Sequence, residues 1–134
     1  MDWKLEVVVV PVADVDRARH FYSERVGFVV DHDTRINDKM RIVQLTPPGS
    51  ACSIVVGSGI GEMAPGSVKG LQLVVSDVKA ARAELIERGV EVSPVQHYEG
   101  AGLVDGPGGD WNSFIFFSDP DGNDWVIQEH PARN

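Results

Sequence analysis

His97 and Glu99 stand two residues apart, and an imidazole beside a carboxylate can move a proton near neutral pH. The stretch they open, His97 to Asn112, adds Tyr98, Asp105, Asp110 and Trp111 among several glycines and Pro107. Sixteen residues without a helix or strand pattern is long for a compact domain, and such loops are often lids over clefts. An ordinary polar surface loop is the alternative. Gln128 supplies a third candidate, an amide that can orient or polarise a bound group. His97, Glu99 and Gln128 are thus the candidate catalytic residues. Metal chemistry would have to draw on His32, His97, Gln128, Glu129 and His130. In Asp31-His32-Asp33, neighbouring side chains on a strand diverge, so at most Asp31 and Asp33 share a face. That geometry gathers too few donors for a metal centre. No Ser-His-Asp order, phosphate-cradling loop or dinucleotide fingerprint is present, and Gly106-Pro107-Gly108-Gly109 is turn chemistry.

Composition narrows the field. The chain has 134 residues, 43% hydrophobic and 24% charged, the profile of one globular domain. Twelve Lys and Arg against twenty Asp and Glu give a net charge of -8, which repels nucleic acid and anionic lipid. Cys52 is the single cysteine, so no disulfide can form within the chain, and its apolar surroundings indicate a buried structural thiol. The N-terminus does not read as a signal peptide and no apolar run would span a bilayer, so the expected location is the cytoplasm.

The elements that position these residues come from a repeat. Val12, Asp14, Val15, Ala18 and Arg19 recur as Val75, Asp77, Val78, Ala81 and Arg82 at a constant offset of 63. Gly27 and Gly89 close the matching stretches. An offset near half the chain implies one supersecondary unit used twice, with a site between the copies. The first copy (about 1–62) reads as a strand over 5–12 buried on both faces, then a helix capped by Asp14 and stopped by Gly27. Strands over 28–32, 41–45 and 52–56 follow, the last two joined by Thr46-Pro47-Pro48-Gly49-Ser50. A glycine-rich linker over 57–67 leads to the second copy (about 67–134). There the pattern predicts a strand over 71–75, an Asp77-capped helix with Ala80, Ala81, Leu85 and Ile86 inward, and a strand over 90–95. A hairpin over 114–117 and 125–128 turns at Asp119-Pro120-Asp121-Gly122-Asn123. Pro131-Ala132-Arg133-Asn134 reads as a tail with His130 solvated beside it. Each half is β-α-β-β-β, and the fold class is α+β in a single domain.

In this order, Val-x-Asp before each helix, Phe21-Tyr22 with Gly27-Phe28, and Asp119-Pro120-Asp121-Gly122-Asn123 resemble the vicinal oxygen chelate superfamily, the glyoxalase, bleomycin-resistance and dioxygenase group. The resemblance covers essentially the whole chain. It implies two β-α-β-β-β modules whose mixed sheets curl into a cup, formed within one chain or across a homodimer. Family enzymes usually hold a divalent metal on four side chains. The resemblance assigns those positions to Val7, to Gly70 or Leu71, to the strand around 53–56, and to Val126. None of these offers an oxygen or imidazole donor suited to a hard cation, so no metal and no cofactor are expected.

The same substitutions imply an apolar cup. Val7, Val9, Leu71, Leu73 and Val126 would wall it, Gln128 would be its polar handle, and Trp111 (or Trp3) would be available for stacking. Simple packing of these side chains against one another is the competing reading. The expected function is therefore metal-independent binding of a small apolar or aromatic organic molecule by a homodimer. The alternatives are a superfamily enzyme (lyase, isomerase or dioxygenase-like) with an atypical or absent metal site, or an interaction module with a filled cup.

Overall fold

The computed structural model describes residues 1–132, so Arg133 and Asn134 of the expected tail lie outside the described residues. The chain divides into two compact units, one of Met1–Val68 with Asp119–Asn123, the other of Lys69–Ser118 with the residues from Asp124 onward. Together they hold two mixed sheets of four and five strands and two helices, an α+β architecture.

In the first unit, β1 (Val7–Val9) is followed by α1 (Val15–His20), which continues as a π-helical turn over Phe21–Arg25. The helix starts where expected, because the Asp14 carboxylate accepts the backbone N–H of Arg17 at 3.1 Å. It ends at Gly27, whose φ of +92° is a conformation glycine adopts without a Cβ clash. Then come β2 (Val29–Asn37), β3 (Met40–Thr46) and β4 (Ser53–Ser58), in the sheet order β1-β4-β3-β2. The first strand is shorter than expected, and it is not buried on both faces: Val7 is 41% exposed. Val10, Ala18, Tyr22, Val43, Leu45 and Val56 form the core of this unit. Arg41 ties strands to helix outside that core, donating to Asp33 at 2.8 and 2.9 Å and to Asp16 at 2.7 Å. The hydrogen bond from Arg41 holds the Asp33 carboxyl down at about 2.

The turn Asp119–Asn123 is part of the first unit. Asp119 is buried, and its Oδ1 accepts the backbone N–H groups of Asp121 and Asn123, both at 2.9 Å. Its Oδ2 accepts the Tyr22 hydroxyl at 2.7 Å and the Asn123 amide at 2.8 Å. Asn123 also donates to the Pro11 carbonyl and accepts from the Val68 N–H. Asp121 accepts from the Ala13 N–H at 3.1 Å and from Arg17 at 3.0 Å.

In the second unit, β5 (Leu71–Val75) leads to α2 (Val78–Glu87), capped by Asp77 on the Ala80 N–H at 3.0 Å. The buried helix positions are Val78 and Leu85, while Ile86 is half exposed and Ala80 exposed, so the inward stripe is rotated from the expected one. No strand forms over 90–95. The glycine-rich stretch instead contains a hairpin, β6 (Gln96–Glu99) with β7 (Gly102–Asp105), and β8 (Phe114–Ser118) and β9 (Asp124–Glu129) complete the order β5-β9-β8-β6-β7. This half is β-α-β-β-β-β, one strand more than expected. Its core is Ile115, Phe117, Trp125 and Ile127, with the Phe117 and Trp125 rings stacked at 5.9 Å.

Replacing Tyr22 by Phe removes one charge-assisted hydrogen bond to a buried carboxylate and leaves its other donors in place. Urea unfolding is expected to show a loss of about 2 kcal/mol with an unchanged denaturant slope.

Candidate functional site

Strand register decides which side chains of the second unit can meet a ligand. In the parallel pair β5–β9, Leu71 stands beside Trp125 and Leu73 beside Ile127, while Gln72 stands beside Val126 and Val74 beside Gln128. In the antiparallel pair β8–β9, Phe114 faces Gln128 and Phe116 faces Val126. One face therefore carries Leu71, Leu73, Ile115, Phe117, Trp125 and Ile127. Helix α2 lies on this face, and Glu129 on it accepts the Val78 N–H at the helix start at 2.9 Å. The opposite face, left open by the helix, carries Gln72, Val74, Phe114, Phe116, Val126 and Gln128.

On that open face the aromatic rings form a row. Tyr98 meets Phe114 edge-on at 5.4 Å, and Phe114 lies 6.3 Å from Phe116 with planes 19° apart. Gln72 Nε2 donates to Gln128 Oε1 at 2.5 Å, and Gln128 Nε2 donates to the Trp111 carbonyl at 2.7 Å. Trp111 is the single described non-glycine residue with positive φ, at 61°. Such a backbone costs a bulky residue on the order of 1–3 kcal/mol and persists only where the surroundings impose it. Here Trp111 is the third residue of a turn closed by the Asn112 N–H on the Gly109 carbonyl at 3.1 Å, and the Gln128 amide bonds its own carbonyl. The next residue, Asn112, clamps Tyr98 by accepting its N–H at 2.9 Å and donating to its carbonyl at 3.0 Å. Gly108 permits the loop to approach, since a Cβ there would fall 2.3 Å from the Asn112 carbonyl oxygen. The indole is 46% exposed and lies 6.3 Å from the His130 ring. The arrangement offers flat apolar area with a fixed amide pair beside it, which suits stacking of a planar molecule.

The expected pocket residues divide between faces and units. Val126 and Gln128 share the open face of the second unit, and Gln128 bonds the backbone carbonyl of Trp111 there. Leu71 and Leu73 do not join them: they face α2, and Gln72 takes the place expected of them. The constant offset of 63 carries Val9 to Gln72, which is the signal that could have located it. Phe114 and Phe116 were also missed, although their alternation with the buried Ile115 and Phe117 marks the second face. Val7 and Val9 lie in the first unit, on the sheet face shared by Ser53 and Val55. Val9 also lines a cavity of about 140 Å³ bounded by residues 9–12 and 57–61 with Met63, a wall without a titratable side chain.

His97 keeps the carboxylate of Glu99 beside its imidazole. Its Nδ1 lies 2.7 Å from the Gly106 carbonyl oxygen and its Nε2 lies 3.2 Å from Glu99, so both ring nitrogens are engaged. The hydrogen bond to Gly106, then the one to Glu99, raises the imidazole above its ordinary value. Asp31 and Asp33 do not share a face either. A bulge between Val30 and His32 reverses the alternation, sending Asp31 to the Thr46 hydroxyl and Asp33 to Arg41. His130 is half-buried, with Nδ1 2.7 Å from the Pro131 carbonyl oxygen, and Cys52 is a half-buried free thiol. Among the described residues no three His, Cys, Asp or Glu side chains converge on a common point. Val7, Gly70, Leu71 and Val126 carry no donor atoms in their side chains, and in 53–56 only Ser53 has one, a hydroxyl already bonded to Thr46, so the residues at the resemblance's metal positions do not fit a divalent cation.

Residues 4–127 match the family model of the Glyoxalase/Bleomycin resistance protein/Dioxygenase superfamily. Among solved structures, TnmS3, an antibiotic binding protein from Streptomyces sp. CB03234, is 35% identical with a TM-score of 0.77, covering 96% of this chain and 97% of that one. A glyoxalase/bleomycin resistance protein from the same organism is 36% identical with a TM-score of 0.73, covering 93% and 99%. A superfamily member from Sphaerobacter thermophilus DSM 20745 is 28% identical with a TM-score of 0.77, covering 96% and 98%. Comparison with curated proteins finds no match.

Two outcomes are expected at this site. A Trp111→Gly chain relieves the positive φ and should melt close to the parent, whereas Trp111→Val keeps the strain and should be less stable than the glycine variant by about 1–2 kcal/mol. For His97, a folded-state value above the unfolded one means a stabilising contribution that is full below the unfolded value and lost as pH rises through the folded one. A proton NMR titration should place the His97 midpoint above 6.5, and Glu99→Gln should lower it.

Proposed function

The chain belongs to the Glyoxalase/Bleomycin resistance protein/Dioxygenase superfamily, and from that premise we propose that it binds a small planar organic molecule without a metal, on the open face of its second unit. The observation that carries the reading is the row of Tyr98, Phe114 and Phe116 rings with the Gln72–Gln128 amide pair on the same face, joined through Gln128 to the carbonyl of Trp111, which keeps a positive φ in the turn that Asn112 closes on Gly109. Strain retained at an exposed tryptophan costs stability and is expected where the side chain meets a ligand. The antibiotic-binding function of TnmS3 supports the same reading. A cytoplasmic homodimer is the setting we assign to this activity. No helix among the described residues is long and apolar enough to cross a membrane.

The test is a panel of neutral tricyclic and tetracyclic aromatics, followed by calorimetry and tryptophan fluorescence. Binders should raise the melting temperature, and chelator treatment should leave their affinity unchanged. Trp111→Gly and Gln128→Ala should each weaken binding by about tenfold or more. Affinities unaffected by both substitutions, or abolished by chelation, would sink the proposal.

A further inference from the structure

We propose that the open face of the second unit selects planar aromatic cations over neutral rings of the same shape, with Asp124 as the residue that sets the preference. This rests on the reading of that face as an aromatic binding surface and adds the charge of its ligand. Strand alternation puts Asp124 on the same face as Val126 and Gln128, one pleat beyond the Phe116–Val126 pair. Two residues of strand rise set its Cα about 7 Å from that of Val126, within reach of an amino substituent on a ring stacked over Phe114 and Phe116. The side chain is 48% exposed, and its Oδ1 accepts the Ser118 hydroxyl at 2.6 Å. That hydrogen bond, with the nearby Lys69, holds the carboxyl below its ordinary value, so the group is charged at neutral pH.

The distribution of charge along the chain points the same way. Between Arg88 and Arg133 there is no Lys or Arg, yet eight of the twenty acidic residues lie there. The remaining sequence holds twelve of each sign, so this stretch alone carries the net charge of -8. Of these eight, Asp119 and Asp121 belong to the first unit and Glu129 faces α2, while Asp105, opposite Gln96, and Asp124 share the face of Phe114 and Phe116. In the second unit, Lys79, Arg82 and Arg88 sit on α2 or at its C-cap, against the other face of the sheet. Lys69 is the exception, 3.4 Å from Asp124 and 60% exposed. A pair so exposed is weak, and a cation pressed against aromatic rings competes well with it. Ring faces and carboxylate thus attract one kind of guest, a flat cation, and repel anions.

Calorimetry with proflavine, a planar tricyclic cation at neutral pH, and acridone, a neutral molecule of the same ring frame, tests this. The parent protein should bind proflavine about tenfold or more tightly than acridone at low salt, with the ratio falling as salt rises. Asp124→Asn keeps an acceptor for Ser118 and should drive the ratio toward one. Lys69→Gln frees the carboxylate and should raise it, an opposite shift that stands even if the Asp124 variant folds poorly. Equal affinities in the parent, or a ratio unmoved by either variant, would overturn cation selection while acridone binding kept the aromatic face intact. Failure of both dyes to bind would overturn both.

Discussion

The first unit depends on one buried carboxylate. Asp119 accepts four hydrogen bonds, two from the backbone of its own turn, one from the Asn123 side chain and one from the Tyr22 phenol. A buried carboxylate is tolerated only when its lone pairs are satisfied, so these donors have to be placed together or not at all. Tyr22 fixes the helical turn that carries it, and its ring stacks on Phe28 at 5.7 Å, just past the glycine that ends the helix. Asn123 extends the network to the exit of β1 at Pro11 and to Val68. Residues far apart in sequence are bound to one another by a single saturation requirement, which is why Phe21-Tyr22, Gly27-Phe28 and Asp119-Pro120-Asp121-Gly122-Asn123 occur in one chain.

The second unit starts from the same plan and diverges after its helix. Both halves open with a strand, an Asp cap on the third following N–H, and a helix closed by a positive-φ glycine. After that point the second half adds the β6–β7 hairpin and holds Trp111 in a costly backbone conformation. The buried face of its sheet is ordinary packing of Ile115, Phe117, Trp125 and Ile127. The other face keeps rings and amides at the surface, where a protein optimised only for stability would place shorter polar residues. Alternation along β8 and β9 keeps the packed face and the ring-bearing face of this sheet apart.

Local signals were readable because local physics produces them. An Asp before a helix, a glycine after it, and a Pro-Asp-Gly turn each satisfy backbone groups within a few residues. The β6–β7 hairpin was missed because Gln96 to Asp105 shows no apolar alternation, leaving the positive-φ Gly100 of its short turn as the one local signal. The parity of β5 was hidden for the opposite reason. Leu71, Leu73, Val74 and Val75 are all apolar, so either face could have been the buried one. A bulge at Asp31 likewise inverted a parity that simple alternation had assigned.

The sequence by itself determined the duplicated α+β plan, the helix limits, the turn that closes β8 onto β9, and the lack of metal donors at Val7, Leu71 and Val126. Each follows from residue chemistry or short-range hydrogen bonding and needs no partner strand. The tertiary structure decided which side chains share a surface. Only the register of β9 with β5 and β8 sets Gln72 beside Val126 and turns Leu71 and Leu73 to the helix, because a strand's two faces become distinct when a neighbour pairs with it.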